Sequence, residues 1–348
     1  MDNVGQESVN TSGQPKICKR CVLPQNQSDI WLNEEGICNI CIEHDKTRNS
    51  REEVKLLETD FIKMLNQNKG RGEYDCLVMC SGGKDSTAAL YYMKRKYKLN
   101  PLVFTFDHGF ETEDALGNVK NAVEALGVDF LCFKTDFMKE MFSAILRTNS
   151  KAVICHPCSI WYMDLTFNVA AKFNIPIIIA GWTKGQYSKQ PVMSRCGCNV
   201  HQPEFVSMAK ATNEFLENYI KNNPKYRDFP KSMEEVLARA KKRHKCVVLS
   251  PHWFLPFGSE TYVEIIKKEL KWKFPALSYP ANTTNCYLNF ISVHNSLKYF
   301  GYTHYHVEMS KLIREGLLSR EEALKSLEIN FGKDLLNNIA KNLNYVFE

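Results

Sequence analysis

Residues 74–136 alternate short apolar runs with stretches of helical periodicity, and this alternation constrains the fold of the 348-residue chain more than any other feature. The runs YDCLVMC, PLVFTFD and DFLCFKTD have the length of buried strands, and predicted helices separate them. Strands joined by helical crossovers pair in parallel, so the pattern predicts an α/β fold with an open, doubly wound parallel sheet. The run PIIIAG at 176–181 continues that sheet.

Differences in composition divide the chain into five units. Val54, Phe61 and Leu65 recur at helical spacing in a charged stretch, which predicts a connecting helix. A Ser-x-x-Glu pattern at Ser319 is typical of a helix start and indicates a helical end region. We expect a flexible tail at 1–16, a cysteine-rich module at 17–45, a linker helix at 46–72, an ATP-binding α/β domain at 73–200, and a mainly helical substrate or partner region at 201–348.

The composition is that of an ordinary globular protein, with 44% hydrophobic and 24% charged residues. A net charge of +6 permits an anionic partner such as a nucleotide or RNA without demanding one. The first sixteen residues do not resemble a secretory signal and no apolar run is long enough to span a membrane, so we expect a cytoplasmic protein with no membrane partner. In a reducing compartment, the 13 cysteines indicate metal ligands or reactive thiols rather than disulfides.

Two Cys-x2-Cys pairs lie near the start of the chain, formed by Cys18 with Cys21 and by Cys38 with Cys41. Each pair places two sulfurs on one turn, and four thiolates suit the tetrahedral preference of zinc. The module around them has little apolar content, so a metal must hold it together. We predict a structural zinc ion, and iron is the alternative metal for the same site. The module could also contact nucleic acid, and the sequence leaves this open.

The stretch SGGKDS follows a predicted buried strand and opens a predicted helix. This is the context of a phosphate site, because free backbone N–H groups converge on the ligand at the positive end of a helix dipole. Gly82 and Gly83 let the backbone approach phosphate, Lys84 adds charge, and serine hydroxyls flank them. The stretch does not fit the common G-x-x-x-x-G-K-[ST] loop, because Asp85 stands where that loop has its magnesium-binding hydroxyl.

SGGKDS resembles the signature of the PP-loop ATP pyrophosphatase superfamily, whose members cleave ATP between the α- and β-phosphates. The resemblance implies that ATP binds with Mg²⁺ and that AMP passes to a substrate oxygen. It implies nucleotide-binding roles for the loop and for Asp107 and Gly181 at later strand ends, with catalytic roles for Lys84, Asp85 and Asp107. The loop residues so assigned are Ser81, Gly82, Gly83, Lys84, Asp85 and Ser86.

The cysteine pairs, the loop, PIIIAG and the tail KYFGYTHYHVEMSKLIREGLLSREEAL together resemble the N-acetyl sugar amidotransferase family. That resemblance implies adenylation of the acetamido oxygen of a sugar, followed by displacement of AMP by ammonia to leave an acetamidine. It also implies a nucleotide-sugar acceptor and a separate glutaminase partner with an ammonia channel. The family commonly has Gly-Glu-Asn and then Glu-Tyr after the late strand, where this chain has GWTKGQYSKQ, with Thr183 and Gln186 among the replacements.

A second cysteine set leaves two other hypotheses open. Cys155, Cys158 and the distant Cys286 resemble the cluster-binding cysteines of PP-loop sulfur-transfer enzymes, in which a labile 4Fe–4S cluster delivers sulfide to an RNA base or a small molecule. A second zinc using His156 or the CGC pair at 196–198, or simply buried thiols, would also account for them. The third hypothesis is a nucleic-acid-binding protein without turnover, which would use the basic run at 241–245.

Overall fold

The computed structural model describes residues 15–26, 29–48, 57–186, 206–255, 260–283 and 285–348. Several predicted features therefore lie outside the described residues: most of the flexible tail, Val54 in the linker helix, Tyr187 and the CGC pair at 196–198. Within the described ranges, no helix is both long enough and apolar enough to cross a lipid bilayer.

Five parallel strands form one sheet in the order β3-β2-β1-β4-β5. The predicted open α/β sheet is confirmed, and a fifth strand is added from the apolar piece CVVLS. The strands are β1 Cys76–Met79, β2 Pro101–Asp107, β3 Asp129–Lys134, β4 Ile177–Ile179 and β5 Val247–Leu249. Strand order reverses between β1 and β4, because the chain winds outwards from β1 in one direction and then in the other.

Fourteen α-helices lie in the described ranges. They are α1 Asn39–Arg48, α2 Glu58–Asn66, α3 Lys84–Tyr91, α4 Glu113–Leu126, α5 Lys139–Arg147, α6 Cys155–Lys172, α7 Val206–Asn222, α8 Met233–Arg243, α9 Pro251–Phe254, α10 Glu260–Leu270, α11 Leu288–Phe300, α12 His304–Arg314, α13 Arg320–Ser326 and α14 Lys333–Ala340. A π-helical stretch, Tyr92–Lys96, extends α3.

Helices cover both faces of the sheet, as doubly wound folds require. Alternate residues of β1 point to opposite faces, so Leu77 and Met79 belong to one apolar core and Cys76 and Val78 to the other. The first core is completed mainly by α5, α6, α11 and α14, and the second by α2, α3, α4 and α10. Because both faces are covered, β1 is fully buried, which explains why its sequence is continuously apolar.

Local signals set several helix boundaries. The Ser-x-x-Glu pattern is a capping box, in which the Ser319 hydroxyl accepts from the Glu322 N–H and the Glu322 carboxylate accepts from Ser319. Within the predicted linker region, α2 covers nine residues and buries Phe61 and Leu65. Helix α6 begins at Cys155, so Cys155 and Cys158 lie in its first turn.

Candidate functional site

The glycine loop lies between β1 and α3 and tolerates no side chain at its tightest position. Gly82 has a φ of +78°, and a Cβ atom there would lie 2.0 Å from the carbonyl oxygen of Ala115. Its own carbonyl accepts hydrogen bonds from Trp272 Nε1 at 2.8 Å and Asn118 Nδ2 at 3.1 Å. The loop is thus fixed in one conformation by α4 and by the segment after α10.

Hydroxyl and amide groups form the rim of the loop. Ser86 Oγ accepts from the Ser81 N–H at 3.2 Å, and Asn285 Nδ2 donates to Ser81 Oγ at 3.1 Å. The first turn of α3 has N–H groups with no acceptor within the helix, and the helix dipole adds positive potential there. The rim can therefore donate several hydrogen bonds to an anion.

Lys84 and Asp85, two of the predicted catalytic residues, pair with each other. Lys84 Nζ lies 2.8 and 2.9 Å from the two carboxylate oxygens of Asp85. The Tyr262 hydroxyl also donates to that carboxylate, and His252 Nε2 donates to the Asp85 carbonyl at 2.8 Å. These contacts anchor the start of α3 to α9 and α10.

Gly181 follows β4 and packs directly on the start of α3. A Cβ atom at this position would lie 2.4 Å from Ser86 N and 2.5 Å from Ser86 Cα, and neither backbone atom could move aside. Ser81 follows β1 and Gly181 follows β4, so both lie at the strand ends where the strand order reverses. This is the position at which doubly wound sheets bind ligands.

A cavity of about 360 Å³, here called the loop cavity, opens beside these residues. One wall contains four residues of the glycine loop and one residue that follows β4: Ser81, Gly83, Asp85, Ser86 and Gly181. Helices α6 and α12 supply the opposite wall, with Cys155, His156, His304 and Glu308 among its residues. Every predicted loop residue except Gly82 and Lys84 therefore lines one cavity. In the opposite wall, Cys155 and His156 were candidate metal ligands in the sequence, whereas His304 and Glu308 were not predicted as site residues.

The opposite wall contains two uncharged imidazole rings, those of His304 and His156. Burial lowers the pKa of His304 to about 3, with His156 and His306 adding to the effect, and burial lowers the pKa of His156 to about 4. His156 Nδ1 lies 3.3 Å from Thr212 Oγ1. Both rings are therefore neutral near pH 7 and can form hydrogen bonds without carrying charge.

Glu308 places a carboxylate beside the segment GWTKGQYSKQ, which itself lacks the glutamates that the amidotransferase family has there. Thr183 Oγ1 donates to Glu308 Oε1 at 2.8 Å, and Gln186 Nε2 lies 3.3 Å from Oε2. Burial raises the pKa of Glu308, while these hydrogen bonds act in the opposite direction. The residue lies on α12, 125 positions from Thr183, so no local sequence signal could have joined the two.

A smaller cavity of about 240 Å³, here called the side cavity, shares Ser81, Tyr162, Thr283 and Asn285 with the loop cavity. Two of the three predicted cluster cysteines, Cys158 and Cys286, line it, whereas Cys155 lines the loop cavity. Burial raises the pKa of Cys286 well above its usual value, and the nearby Glu111, Cys155 and Cys158 raise it further. The structure thus places all three thiols around the junction of the two cavities.

Asp107 has a different setting from the other predicted site residues. Its Oδ1 accepts from the Gly109 N–H at 2.8 Å, and its Oδ2 lies 3.3 Å from Lys134 Nζ. It is buried and lines neither cavity. The carboxylate that does line the side cavity is Glu111, whose pKa is raised to about 8 by burial and then by Asp107.

The four N-terminal cysteines converge as the sequence predicts. Their sulfur atoms all lie within 4.8 Å of one another, and Cys21 Sγ and Cys38 Sγ are 3.7 Å apart. Backbone N–H groups of Cys21, Cys38 and Cys41 donate to cysteine sulfurs at 3.3–3.5 Å. This buried set, here called the four-cysteine cluster, has the donors and the spacing of a metal site.

The four-cysteine cluster rests on the wall of the loop cavity. Its cysteines share an apolar core with Val153, Met208, Tyr302 and Val307, and Val307 precedes Glu308 on α12. Arg320 donates to the carbonyls of Cys18 and Cys21 at 3.0–3.2 Å. Helix α12 therefore contacts both the cluster and the loop cavity, and Val307 takes part in both contacts.

Comparison with known proteins supports the assignment of the loop. Residues 75–189, about a third of the chain, match the family of the queuosine biosynthesis protein QueC, and this stretch includes SGGKDS and Gly181. This match confirms, for residues 75–189, the PP-loop assignment that the glycine loop predicts, and this stretch is here called the PP-loop domain.

Relatives along the whole chain are more distant. An uncharacterized protein from Methanocaldococcus jannaschii is 27% identical over 313 residues, which cover 89% of this chain and 92% of that protein. The U34-tRNA thiolase NcsA from Methanococcus maripaludis, solved with its 4Fe–4S cluster, aligns over 96% of this chain and 97% of its own at 16% identity and a TM-score of 0.35. NMN synthetase from Francisella tularensis aligns over 83% of this chain and 95% of its own at 10% identity and a TM-score of 0.39. Likenesses of this size carry no argument about the reaction.

Proposed function

We propose that this protein is an ATP-dependent, AMP-forming enzyme that activates an amide oxygen as its adenylate and then replaces it with nitrogen. The observation that carries the proposal is the loop cavity itself, which the PP-loop lines together with the uncharged imidazoles of His156 and His304. Its volume of about 360 Å³ falls at the lower end of the range of small-molecule sites.

The PP-loop would hold the pyrophosphate that leaves. N–H groups at the start of α3 and the hydroxyls of Ser81 and Ser86 would donate to its oxygens as negative charge develops, and Mg²⁺ would add counter-charge. The acceptor oxygen attacks the α-phosphorus, the α–β bond breaks, and pyrophosphate departs. This step uses positioning and electrostatics, so no protein nucleophile is required.

The opposite wall would serve the second step. Ammonia adds to the adenylated carbon, AMP leaves with the former amide oxygen, and a proton moves from the added nitrogen to the basic amidine nitrogen of the product. The neutral rings of His304 and His156 would offer hydrogen bonds during this step. Glu308 would position the acceptor through hydrogen bonds. On the family resemblance, the acceptor would be an acetamido group of a nucleotide sugar, and a glutaminase partner would supply the ammonia.

The test is product analysis. The protein is incubated with ATP, Mg²⁺, ammonium and a panel of nucleotide N-acetyl sugars, and nucleotides and acceptors are followed by chromatography and mass spectrometry. We expect AMP and pyrophosphate in step with a product in which nitrogen replaces oxygen. ADP and phosphate would contradict the PP-loop chemistry, and AMP without a nitrogen-containing product would contradict the second step.

A second candidate is sulfur transfer with the same adenylation, and the placement of Cys158 and Cys286 in the side cavity favours it. Here a sulfur atom would displace AMP from an RNA base or a small molecule, and a 4Fe–4S cluster held by Cys155, Cys158 and Cys286 would supply it. Iron and acid-labile sulfide in anaerobically purified protein would support this candidate. Full activity in iron-free protein would exclude it.

For the four-cysteine cluster we propose one structural zinc ion. Zinc–sulfur bonds of about 2.3 Å in a tetrahedron give sulfur–sulfur separations near 3.8 Å, and Cys21 and Cys38 are 3.7 Å apart. The sulfurs of a 4Fe–4S cluster bind four different irons and need wider spacing than a set within 4.8 Å. Four protein ligands leave no open position, so this ion would stabilise the fold rather than take part in the reaction.

A further inference from the structure

We propose that His108, Glu111 and Cys286 form a second metal site, for a single divalent transition-metal ion with one coordination position open to the side cavity. This site uses a different ligand set from the three cysteines of the sulfur-transfer hypothesis, and it does not depend on which atom replaces oxygen. Its three donors are an imidazole, a carboxylate and a thiolate, the ligand types that zinc and ferrous iron accept.

The distances match a coordination shell. His108 Nε2 lies 3.3 Å from Glu111 Oε1 and 3.6 Å from Cys286 Sγ, and all three donor atoms lie within 4.8 Å of one another. Tetrahedral zinc with bonds of about 2.0–2.3 Å gives nitrogen–oxygen edges near 3.4 Å and nitrogen–sulfur edges near 3.6 Å. One ion can therefore bind all three donors with little movement of any side chain.

The backbone fixes two of the ligands opposite each other. Glu111 and Cys286 form an antiparallel bridge, flanked by hydrogen bonds from Thr112 N to Asn285 O at 2.8 Å and from Tyr287 N to Phe110 O at 2.9 Å. This pairing joins the end of β2 to the segment before α11, which are far apart in the sequence. The ligand pair is therefore part of the fold rather than a chance approach of long side chains.

Aromatic packing orients the third ligand. The His108 ring contacts Phe106, Phe110 and Phe142, with centroids 5.6–6.0 Å away, and the side chain is almost fully buried. Among the described residues, Nδ1 has no hydrogen-bond partner, so Nε2 is the nitrogen with polar neighbours. The protein holds that nitrogen towards Glu111 and Cys286.

Charge also favours a cation here. In the described part of the chain, Glu111 has His108 as its ion-pair partner, while the nearby Lys134 pairs with Asp107 instead. A divalent ion would bind the Glu111 carboxyl and the Cys286 thiol by releasing their protons, and its charge would neutralise the carboxylate and the thiolate that result.

The open coordination position would allow the metal ion to bind a small ligand in the side cavity. Glu111 and Cys286 line the side cavity together with Ser81 of the PP-loop, so a small ligand on the ion would lie beside the nucleotide site. The ligand class that fits is a small nitrogen or sulfur donor or water, since the side cavity is only about 240 Å³ and its walls include Phe106, Tyr162 and Tyr305.

The test is metal content of the full-length protein, purified without chelator and analysed by mass spectrometry of its metals together with an assay for acid-labile sulfide. We expect one zinc or iron in addition to the ion of the four-cysteine cluster, and no labile sulfide. Glu111→Gln, His108→Gln and Cys286→Ser should each lose that additional ion and keep the first, which also shows that the variants are folded. Asp107→Asn and Cys158→Ser are matched controls and should keep both ions.

Two results would overturn the proposal. One is wild-type protein with a single metal ion, lost only when a residue of the four-cysteine cluster is replaced. The other is iron with labile sulfide that disappears in Cys155→Ser and Cys158→Ser but persists in Glu111→Gln, which would assign Cys286 to a cluster instead. Neither result bears on AMP formation, which both candidate functions share and which product analysis tests separately. The second result would favour sulfur transfer over nitrogen transfer.

Discussion

The geometry of the proposed nucleotide site depends on Gly181, because this residue packs directly on the start of α3. A methyl group there would lie 2.4 Å from Ser86 N, so Gly181→Ala must displace either β4 or the start of α3. Because displacement of a reacting group by about 1 Å can cost on the order of 100-fold in rate, we expect AMP formation to fall by about that factor. Steady-state AMP and pyrophosphate formation measures the change.

Gly117 offers a matched control for that substitution. It lies within α4, and a Cβ atom there would meet nothing within 4 Å. We expect Gly117→Ala to keep its activity and to raise the free energy of unfolding by about 0.5–1 kcal/mol, the usual gain for alanine within a helix. Equal activities of the two alanine variants would contradict the assignment of Gly181.

His304 predicts a pH dependence of stability. Its pKa is lowered to about 3 in the folded protein and is near 6.5 in an unfolded chain. Between these values the unfolded chain binds more protons, so the free energy of unfolding decreases as the pH falls through that window. We expect thermal unfolding to show a smaller loss of Tm between about pH 7 and pH 5 for His304→Gln than for wild type. Parallel curves in this window would contradict the burial of a neutral imidazole.

At the scale of elements, helix α12 connects the loop cavity with the four-cysteine cluster. It supplies His304, Val307 and Glu308 to the loop cavity, and it contacts the N-terminal module through Val307 and Ser310. Arg320, at the start of α13, adds hydrogen bonds to the carbonyls of Cys18 and Cys21. We therefore expect the position of the wall that contains His304 and Glu308 to depend on the integrity of the module.

Arg320 gives a test of this coupling. Arg320→Gln removes a cation and its hydrogen bonds from the cluster, and bonds from charged groups contribute about 1.5–3 kcal/mol. We expect faster transfer of metal from the four-cysteine cluster to a coloured chelator, followed by absorbance. Lys325→Gln, an exposed cation on the same helix, should transfer metal at the wild-type rate. Identical rates for all three proteins would show that Arg320 does not stabilise the cluster.

At the scale of the whole molecule, we expect that loss of the metal ion from the N-terminal module also lowers activity at the loop cavity. The module's own core is small and is shared with α12, so loss of the ion exposes apolar residues such as Leu23 and Ile30. We expect Cys38→Ser to lower both Tm and AMP formation, although no residue of the PP-loop domain is changed. Retained activity with an altered Tm would mean that the module stabilises the fold without positioning α12.

The sheet and the PP-loop were predictable because both depend on local sequence. A buried strand such as CLVMC is recognisable from its apolar run, and SGGKDS is recognisable because adjacent glycines, charge and hydroxyls serve one short loop. The ends of α4 also carry local signals, since Thr112 caps its start and Gly127 in the left-handed conformation ends it. The start of α6 has no capping side chain, so no local signal marks it.

The sequence by itself determined the parallel α/β sheet, the phosphate loop and the convergence of four cysteines, because short-range patterns encode each of them. Tertiary structure decided what faces the loop. Glu308 reaches Thr183 across 125 positions, and Cys286 reaches His108 across 178, through contacts that no local pattern records. Side chains from distant segments become neighbours only when the strands and helices pack, so the walls of a site depend on the fold even where its loop does not.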